Sequence, residues 1–192
     1  MITEFNNTVF EIFPEMETKR LKLREIRESD LTQIFEIRRE PRVNQFIARD
    51  VIKTESEALE IIHKVKASFH EKQGIGWAVT LKDEDKLIGT FGYNMLDKPN
   101  YHAEIGGELN IAYWGTRIAE EATRAIIDFG LKQLALHTIE AKVSPDNRGV
   151  IYLLTKLGFI KEAHYSQRVY HKGYFQDMAV YSLITDKVQI NN

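Results

Sequence analysis

The sequence predicts an α/β fold of mixed α+β character, with a twisted, mostly antiparallel sheet of about seven strands and four helices. Three observations predict it. Short segments with a period of two alternate with longer ones of helical period, in the order β-α-α-β-β-β-α-β-α-β-β. Helix-start signals stand where the helical periods begin, Thr54 with Glu57 and Ser144-Pro-Asp-Asn147 among them. The 192 residues are 43% hydrophobic and 28% charged, enough apolar material to bury a core without disulfides or metals. No repeat, low-complexity tract or Pro/Gly/Ser-rich linker interrupts residues 1–192, so one domain is expected.

Each element has its own justification. Leu21 and Leu23 alternate with Arg20, Lys22 and Arg24 in a half-buried first strand. Asp30, with Gln33 three residues on, marks the first helix. The second helix carries a stripe of Ala58, Ile61, Ile62, Val65 and Phe69. Residues 77–81 and 87–93 read as a hairpin across Lys82-Asp-Glu-Asp-Lys86. In the fourth strand Ala103, Ile105, Gly107, Leu109 and Ile111 share one face, and Glu104, Gly106, Glu108 and Asn110 the other. The third helix buries Ala122, Ile126 and Phe129, and Gly130 within it implies close helix–sheet contact. Ile139, Ala141 and Val143 make the fifth strand. Ile151, Leu154 and Leu157 line the fourth helix, which Gly158 ends. Residues 177–183 form the last strand.

Composition excludes several classes. With no cysteine there is no disulfide, thiolate metal site or cysteine nucleophile. The six histidines show no metal-ligand spacing, so no metal is expected. No apolar run reaches the eighteen or so residues of a membrane span, and the first residues lack a signal-peptide pattern. A cytoplasmic protein without a membrane partner is the expectation. A net charge of −2 argues against general nucleic-acid binding. Basic residues such as Arg24, Arg27, Arg38, Arg39 and Arg42 alternate with acids and read as a solvated face. Gly-x-Ser-x-Gly and Walker loops are absent.

The stretch Ala103-Glu-Ile-Gly-Gly-Glu-Leu-Asn-Ile-Ala-Tyr-Trp-Gly-Thr-Arg-Ile-Ala-Glu-Glu-Ala122 carries the most chemistry. A strand feeding a helix N-terminus through a tight turn presents unpaired backbone N–H groups, where an anion can settle. Together with Asn147 and Lys156-Leu-Gly-Phe159, this stretch resembles the GNAT acetyltransferases, in particular the branch that acetylates N-termini of ribosomal proteins. The resemblance covers residues 17–184. It implies a GNAT-like fold with splayed fourth and fifth strands and acetyl-CoA as cosubstrate between them. It also implies an amine-bearing acceptor, a peptide N-terminus or a small molecule, and leaves a homodimer open.

By that resemblance Leu109 and Ile111 would face pantetheine, and Thr116, Arg117, Ile118 and Ala119 the pyrophosphate. Gly106-Gly107 would supply the bulge that parts the strands, or else let a neighbouring strand approach closely. The family's Trp-Gly-Lys-Gly-Tyr-Ala turn reads Trp114-Gly-Thr-Arg-Ile-Ala119 here, so Arg117 replaces a glycine. Two readings of Arg117 compete. A positive φ would cost about 1–2 kcal/mol more than glycine and set the side chain against the phosphate. A negative φ, which the intact helix start favours, would leave the guanidinium free for phosphate. Asn147 matches a pantetheine-binding asparagine and is equally a helix N-cap. Glu104 is the first choice of general base and Glu108 the second; either is also explicable as an exposed strand carboxylate. Val150 and Leu154 stand where relatives carry the serine or tyrosine beside the thiol. The acceptor segments would be residues 39–47 and 165–175, whose Phe46, Tyr165, Tyr170 and Tyr174 either line an amine pocket or lie half-buried in strands. Direct acetyl transfer in a ternary complex is expected. A CoA-binding protein with little catalysis, or a scaffold with the fold alone, are the alternatives.

Overall fold

Every alternating segment of the sequence becomes a strand of a single sheet. The computed structural model describes residues 4–185, so the signal-peptide reading of the first residues lies partly outside them. The strands are β1 (Met16–Glu17), β2 (Leu21–Glu25), β3 (Ile75–Leu81), β4 (Leu87–Asp97), β5 (His102–Leu109), β6 (Thr138–Val143), β7 (Ile160–His171) and β8 (Tyr174–Ile184). Their order across the sheet is β1-β2-β3-β4-β5-β6-β8-β7. Among the described residues β5 and β6 pair in parallel and the other neighbours antiparallel. The helices are α1 (Leu31–Arg39), α2 (Pro41–Asn44), α3 (Glu55–His70), α4 (Ile118–Lys132) and α5 (Arg148–Lys156). Among the described residues eight strands and five helices replace the expected seven and four. Two-residue β1 and one-turn α2 are too short to show a period. The predicted fourth and fifth strands are β5 and β6.

Both faces of the sheet are covered, because β3 is apolar on both. Trp77 belongs to the larger core cluster, with Ala122, Ile126 and Phe129 of α4 and Leu154 of α5. Its neighbour Ala78 belongs to the smaller one, with Ile34 and Ile37 of α1 and Ala58 and Ile62 of α3. Gly130 is explained by contact: a Cβ there would lie 2.0 Å from the Tyr93 hydroxyl oxygen. That hydroxyl donates to the Ile126 carbonyl at 2.7 Å. The Thr54–Glu57 capping box forms as expected, and Gly158 ends α5 at φ +92°.

Two expectations fail at the first helix. Asp30 makes no capping bond to α1 and no box with Gln33. Its carboxylate instead accepts two bonds from Arg24, at 2.8 Å each, and one from the Arg27 N–H. Arg24 is not on a solvated face: its side chain is 1% exposed. All five of its N–H donors are used, on Asp30, on the Asp85 carboxylate and carbonyl, and on the Glu25 carbonyl. Asp85 lies in the β3–β4 turn, whose sequence gave no hint of this partner. Among the described residues no helix is long and apolar enough to cross a membrane.

Candidate functional site

The site begins where β5 and β6 separate. Their parallel pairing covers His102–Glu104 against Thr138–Glu140, after which β5 continues to Leu109 and β6 to Val143 without each other. On its other edge β5 stays paired with β4 along its whole length. The Asn110 N–H donates to the Ile88 carbonyl of that neighbour at 2.9 Å. Alternation of antiparallel backbone groups then turns the N–H and C=O of Ile105, Gly107 and Leu109 toward the gap. The Leu109 carbonyl is already engaged, accepting from the Trp114 indole at 2.9 Å. Ile111 is not a strand residue. It opens a 3-10 turn, Ile111–Tyr113, so it leaves the row of gap-facing residues, and Ile105 and Gly107 are the members that sequence reasoning passed over.

No bulge lies at Gly106-Gly107. The register shift is on the partner strand and one step earlier along β5, between Tyr93 and Met95 of β4, which pair with Ile105 and Glu104. The two glycines serve close approach instead: a Cβ at Gly106 would meet the Asn94 side chain at 2.4 Å, and one at Gly107 the Phe91 ring at 2.2 Å. The strands part because β6 pairs with β8 from Thr138 to Val143 and diverges with it.

The turn into α4 is braced from two sides. The Thr116 hydroxyl donates to the Tyr113 carbonyl at 2.6 Å, and Arg20 Nη1 donates to the Thr116 carbonyl at 3.0 Å. Gly115 has φ +77° with nothing within 4 Å of where a Cβ would stand, so the turn is open to a ligand. Arg117 is the N-cap of α4 at φ +63°, in the left-handed region, contrary to the negative φ expected. The turn geometry that glycine normally serves is thus kept by an arginine, at a cost of about 1–2 kcal/mol. Ile118 and Ala119 open the helix, and their first-turn N–H groups have no intrahelical acceptor.

The two candidate carboxylates differ sharply. Glu104 sits at the fork, its Oε2 accepting from Lys142 of β6 at 2.7 Å. Lys142 also lies 3.4 Å from Glu140, the β6 residue opposite Glu104. The bond to Glu104 is the chief reason the Lys142 ammonium is held above its ordinary pKa. Glu108, 5% exposed, is gripped by Arg38 of α1 on Oε1 and by Arg49 Nη2 on Oε2 at 2.5 Å. Thr90 adds a bond to Oε1 at 3.3 Å. Glu108 is therefore a buried carboxylate with a guanidinium on each oxygen, not an exposed strand residue. Burial lowers the pKa of Arg38, opposed by Glu108 and reinforced by the nearby Arg49 charge.

Residues 20–160 match the family model described as "Acetyltransferase (GNAT) domain". The chain belongs to the GNAT acetyltransferases. It is therefore an N-acetyltransferase, an acyl-transferring enzyme. An uncharacterized N-acetyltransferase of Bacillus subtilis, YoaA, is 34% identical over 90% of this chain and 98% of its own. The ribosomal-protein-S5-alanine acetyltransferase of Vibrio fischeri superposes with a TM-score of 0.77 at 25% identity, over 91% of this chain and 98% of that one. A spermidine N-acetyltransferase of Vibrio cholerae, solved with CoA and spermine, shares the fold with a TM-score of 0.77 at 20% identity, covering 87% and 96%. Ribosomal-protein acetyltransferases thus stand among its relatives, as the resemblance implied.

Elsewhere in this GNAT enzyme the sequence reading holds in part. Asn147 caps α5, its Oδ1 accepting from the Val150 N–H at 3.2 Å. Leu154 is buried in the larger core, and Tyr152 is exposed. Tyr165, Tyr170 and Tyr174 are exposed on the β7–β8 hairpin, fitting neither the pocket nor the half-buried reading. Phe46 is half-buried. Besides Ile105 and Gly107, the residues missed were Lys142, Glu140, Arg38 and Arg49. Lys142 and Glu140 had one usable signal, since they alternate with the buried face of β6 and so share the fork with Glu104.

Proposed function

We propose that this GNAT domain, working in the cytoplasm, moves acetyl from acetyl-CoA to a primary amine by direct transfer in a ternary complex. The observation that carries the reading is the fork: β5 loses its parallel partner after Glu104 while its backbone groups continue to face the gap. An extended pantetheine can pair with that free edge as an added strand. Ile118 and Ala119 would hold the pyrophosphate at the α4 N-terminus, with Thr116 and Arg117 shaping the turn. Asn147 spends its oxygen on the cap and keeps its amide N–H donors for pantetheine. Leu109 offers its N–H, its carbonyl being taken by Trp114.

The Gly107 N–H is the donor best placed to receive the thioester oxygen as it gains charge. The amine nitrogen attacks the carbonyl carbon, a C–N bond forms, and the C–S bond breaks as the thiolate leaves. Glu104, directly or through water, accepts the proton the amine must lose. Val150 and Leu154 offer no proton to the thiolate, so solvent supplies it. Glu108 has no base role in this reading. The acceptor enters over the α1 face, where Glu104 and Glu108 both point.

Thiol release with acetyl-CoA and a panel of amines tests the activity, and calorimetry with CoA tests the site. Glu104→Gln is expected to lower kcat by about 100-fold with CoA affinity unchanged. An unaltered kcat removes Glu104 as base. Absence of heat with millimolar CoA overturns the reading as a whole.

A further inference from the structure

Glu108 is one buried anion served by two cations, which is more positive charge than its burial requires. Arg38 alone would neutralise it and is also favoured by its place in the last turn of α1, where the helix dipole welcomes a cation. Arg49 is then surplus, yet it is held with care. Its Nε donates to Asn44 Oδ1 at 2.6 Å, and its Nη2 to Glu108. Asn44 is itself buried and spends its amide N–H groups on the Arg38 and Glu40 carbonyls, at 2.8 Å each. That fixes the Asn44 oxygen, and with it the guanidinium. Among the described residues Arg38 uses only its Nε and Arg49 its Nε and Nη2 in hydrogen bonds. The two side chains are 21% and 24% exposed, enough to be reached and little enough to be poorly hydrated. Of the acids nearby, Glu40 is paired with Arg42, and Asp50 is exposed 4.0 Å from His171 of β7.

We propose that Arg38 and Arg49 form a preorganised subsite for a carboxylate of the acceptor, so the preferred substrate is a primary amine bearing a carboxylate within about 10 Å, three strand residues' length, of its nitrogen. The inference rests on the acceptor entering over the α1 face, as proposed above. It names a substrate class: acidic peptide N-termini or amino acids, rather than polyamines, whose added positive charge the two guanidiniums would repel.

Matched acceptors test it without depending on turnover. The tetrapeptide amides Ala-Glu-Ala-Ala and Ala-Gln-Ala-Ala, and free glutamate against its diamide, are titrated by calorimetry into the protein with and without saturating CoA. The carboxylate member of at least one pair is expected to bind about 10-fold more tightly or better. The peptide and amino-acid arms separate the two sources. Arg49→Gln should abolish the preference and Arg49→Lys restore part of it, with CoA heat retained in both. Equal affinities within both pairs, no binding of any acceptor, or a preference that survives Arg49→Gln overturns the proposal. CoA heat alongside such a result leaves the acetyltransferase reading intact, whereas loss of CoA heat in the unsubstituted protein strikes that reading instead.

Discussion

Two arginine–carboxylate clusters are built into this molecule, and they are finished differently. Around Arg24, five donors meet five acceptors, and Arg27 also reaches Asp85, so two arginines face two aspartates. Around Glu108, two arginines face one carboxylate and several donors remain open. The first joins β2, the start of α1 and the β3–β4 turn. The second lies on the strand that borders the gap. A closed cluster holds structure together; an open one on a cleft has capacity left for a ligand.

The contrast can be broken by substitution. Arg24→Met strands two carboxylates, one of them buried, and should cost about 3–5 kcal/mol in urea unfolding. CoA affinity of the molecules that remain folded should not change. Glu108→Gln leaves two guanidiniums facing each other, but solvent reaches both, so the expected loss is about 1–2 kcal/mol. If Glu108→Gln proves the costlier of the two, the Glu108 cluster is structural and the distinction drawn here is wrong.

How much of this could be read from the sequence follows from distance along the chain. Strands and helices were legible because their signals are local: the α3 stripe, the Thr54–Glu57 box and the alternation of β5 and β6 all lie within a few residues. The tight turn into α4 was legible for the same reason. Arg24 was misread because Asp85 is 61 residues away, and the pairs Arg38–Glu108 and Arg49–Glu108 span 70 and 59. Charge alternation looks like a solvated surface until topology brings a partner to it. The parting of β5 and β6 follows the resemblance, but the bulge assigned to Gly106-Gly107 is not there: the register shift falls at Asn94 of β4, and nothing in the β5 sequence can report a neighbour's bulge.

Between the closed and the open cluster stands the turn at Arg117, where strain rather than charge is the question. Arg117→Gly removes a left-handed side-chain residue, and the more flexible unfolded glycine gives back part of the gain. A net stabilisation of about 0.5–1 kcal/mol is expected, seen as a small rise in Tm. If the guanidinium also binds phosphate, CoA affinity should fall as Tm rises. A rise in both would show that Arg117 obstructs the turn.

Glu121 gives the smallest effect and the finest test, because its carboxylate is as fully engaged as that of Asp30 but lies nearer the surface, beside a half-open Arg20. Its carboxylate accepts from the Thr18 hydroxyl at 2.6 Å, the Arg20 N–H at 2.8 Å and Arg20 Nε at 2.6 Å. Burial alone would raise its pKa; those bonds outweigh it and hold the group below the ordinary 4.5. A carboxylate with a depressed native value stabilises the fold fully above its unfolded value and loses that stabilisation as pH falls through the native one. Glu121→Gln should therefore cost less than about 1 kcal/mol at pH 7, and the deficit should shrink steadily below pH ~4.5. The same bonds link Arg20, which holds the Thr116 carbonyl, to the first turn of α4. A weaker CoA affinity in Glu121→Gln at pH 7, converging on the unsubstituted protein in acid, would tie this cluster to the shape of the turn into α4. A deficit that stays constant with pH would mean that shape fit, not charge, is what Glu121 contributes.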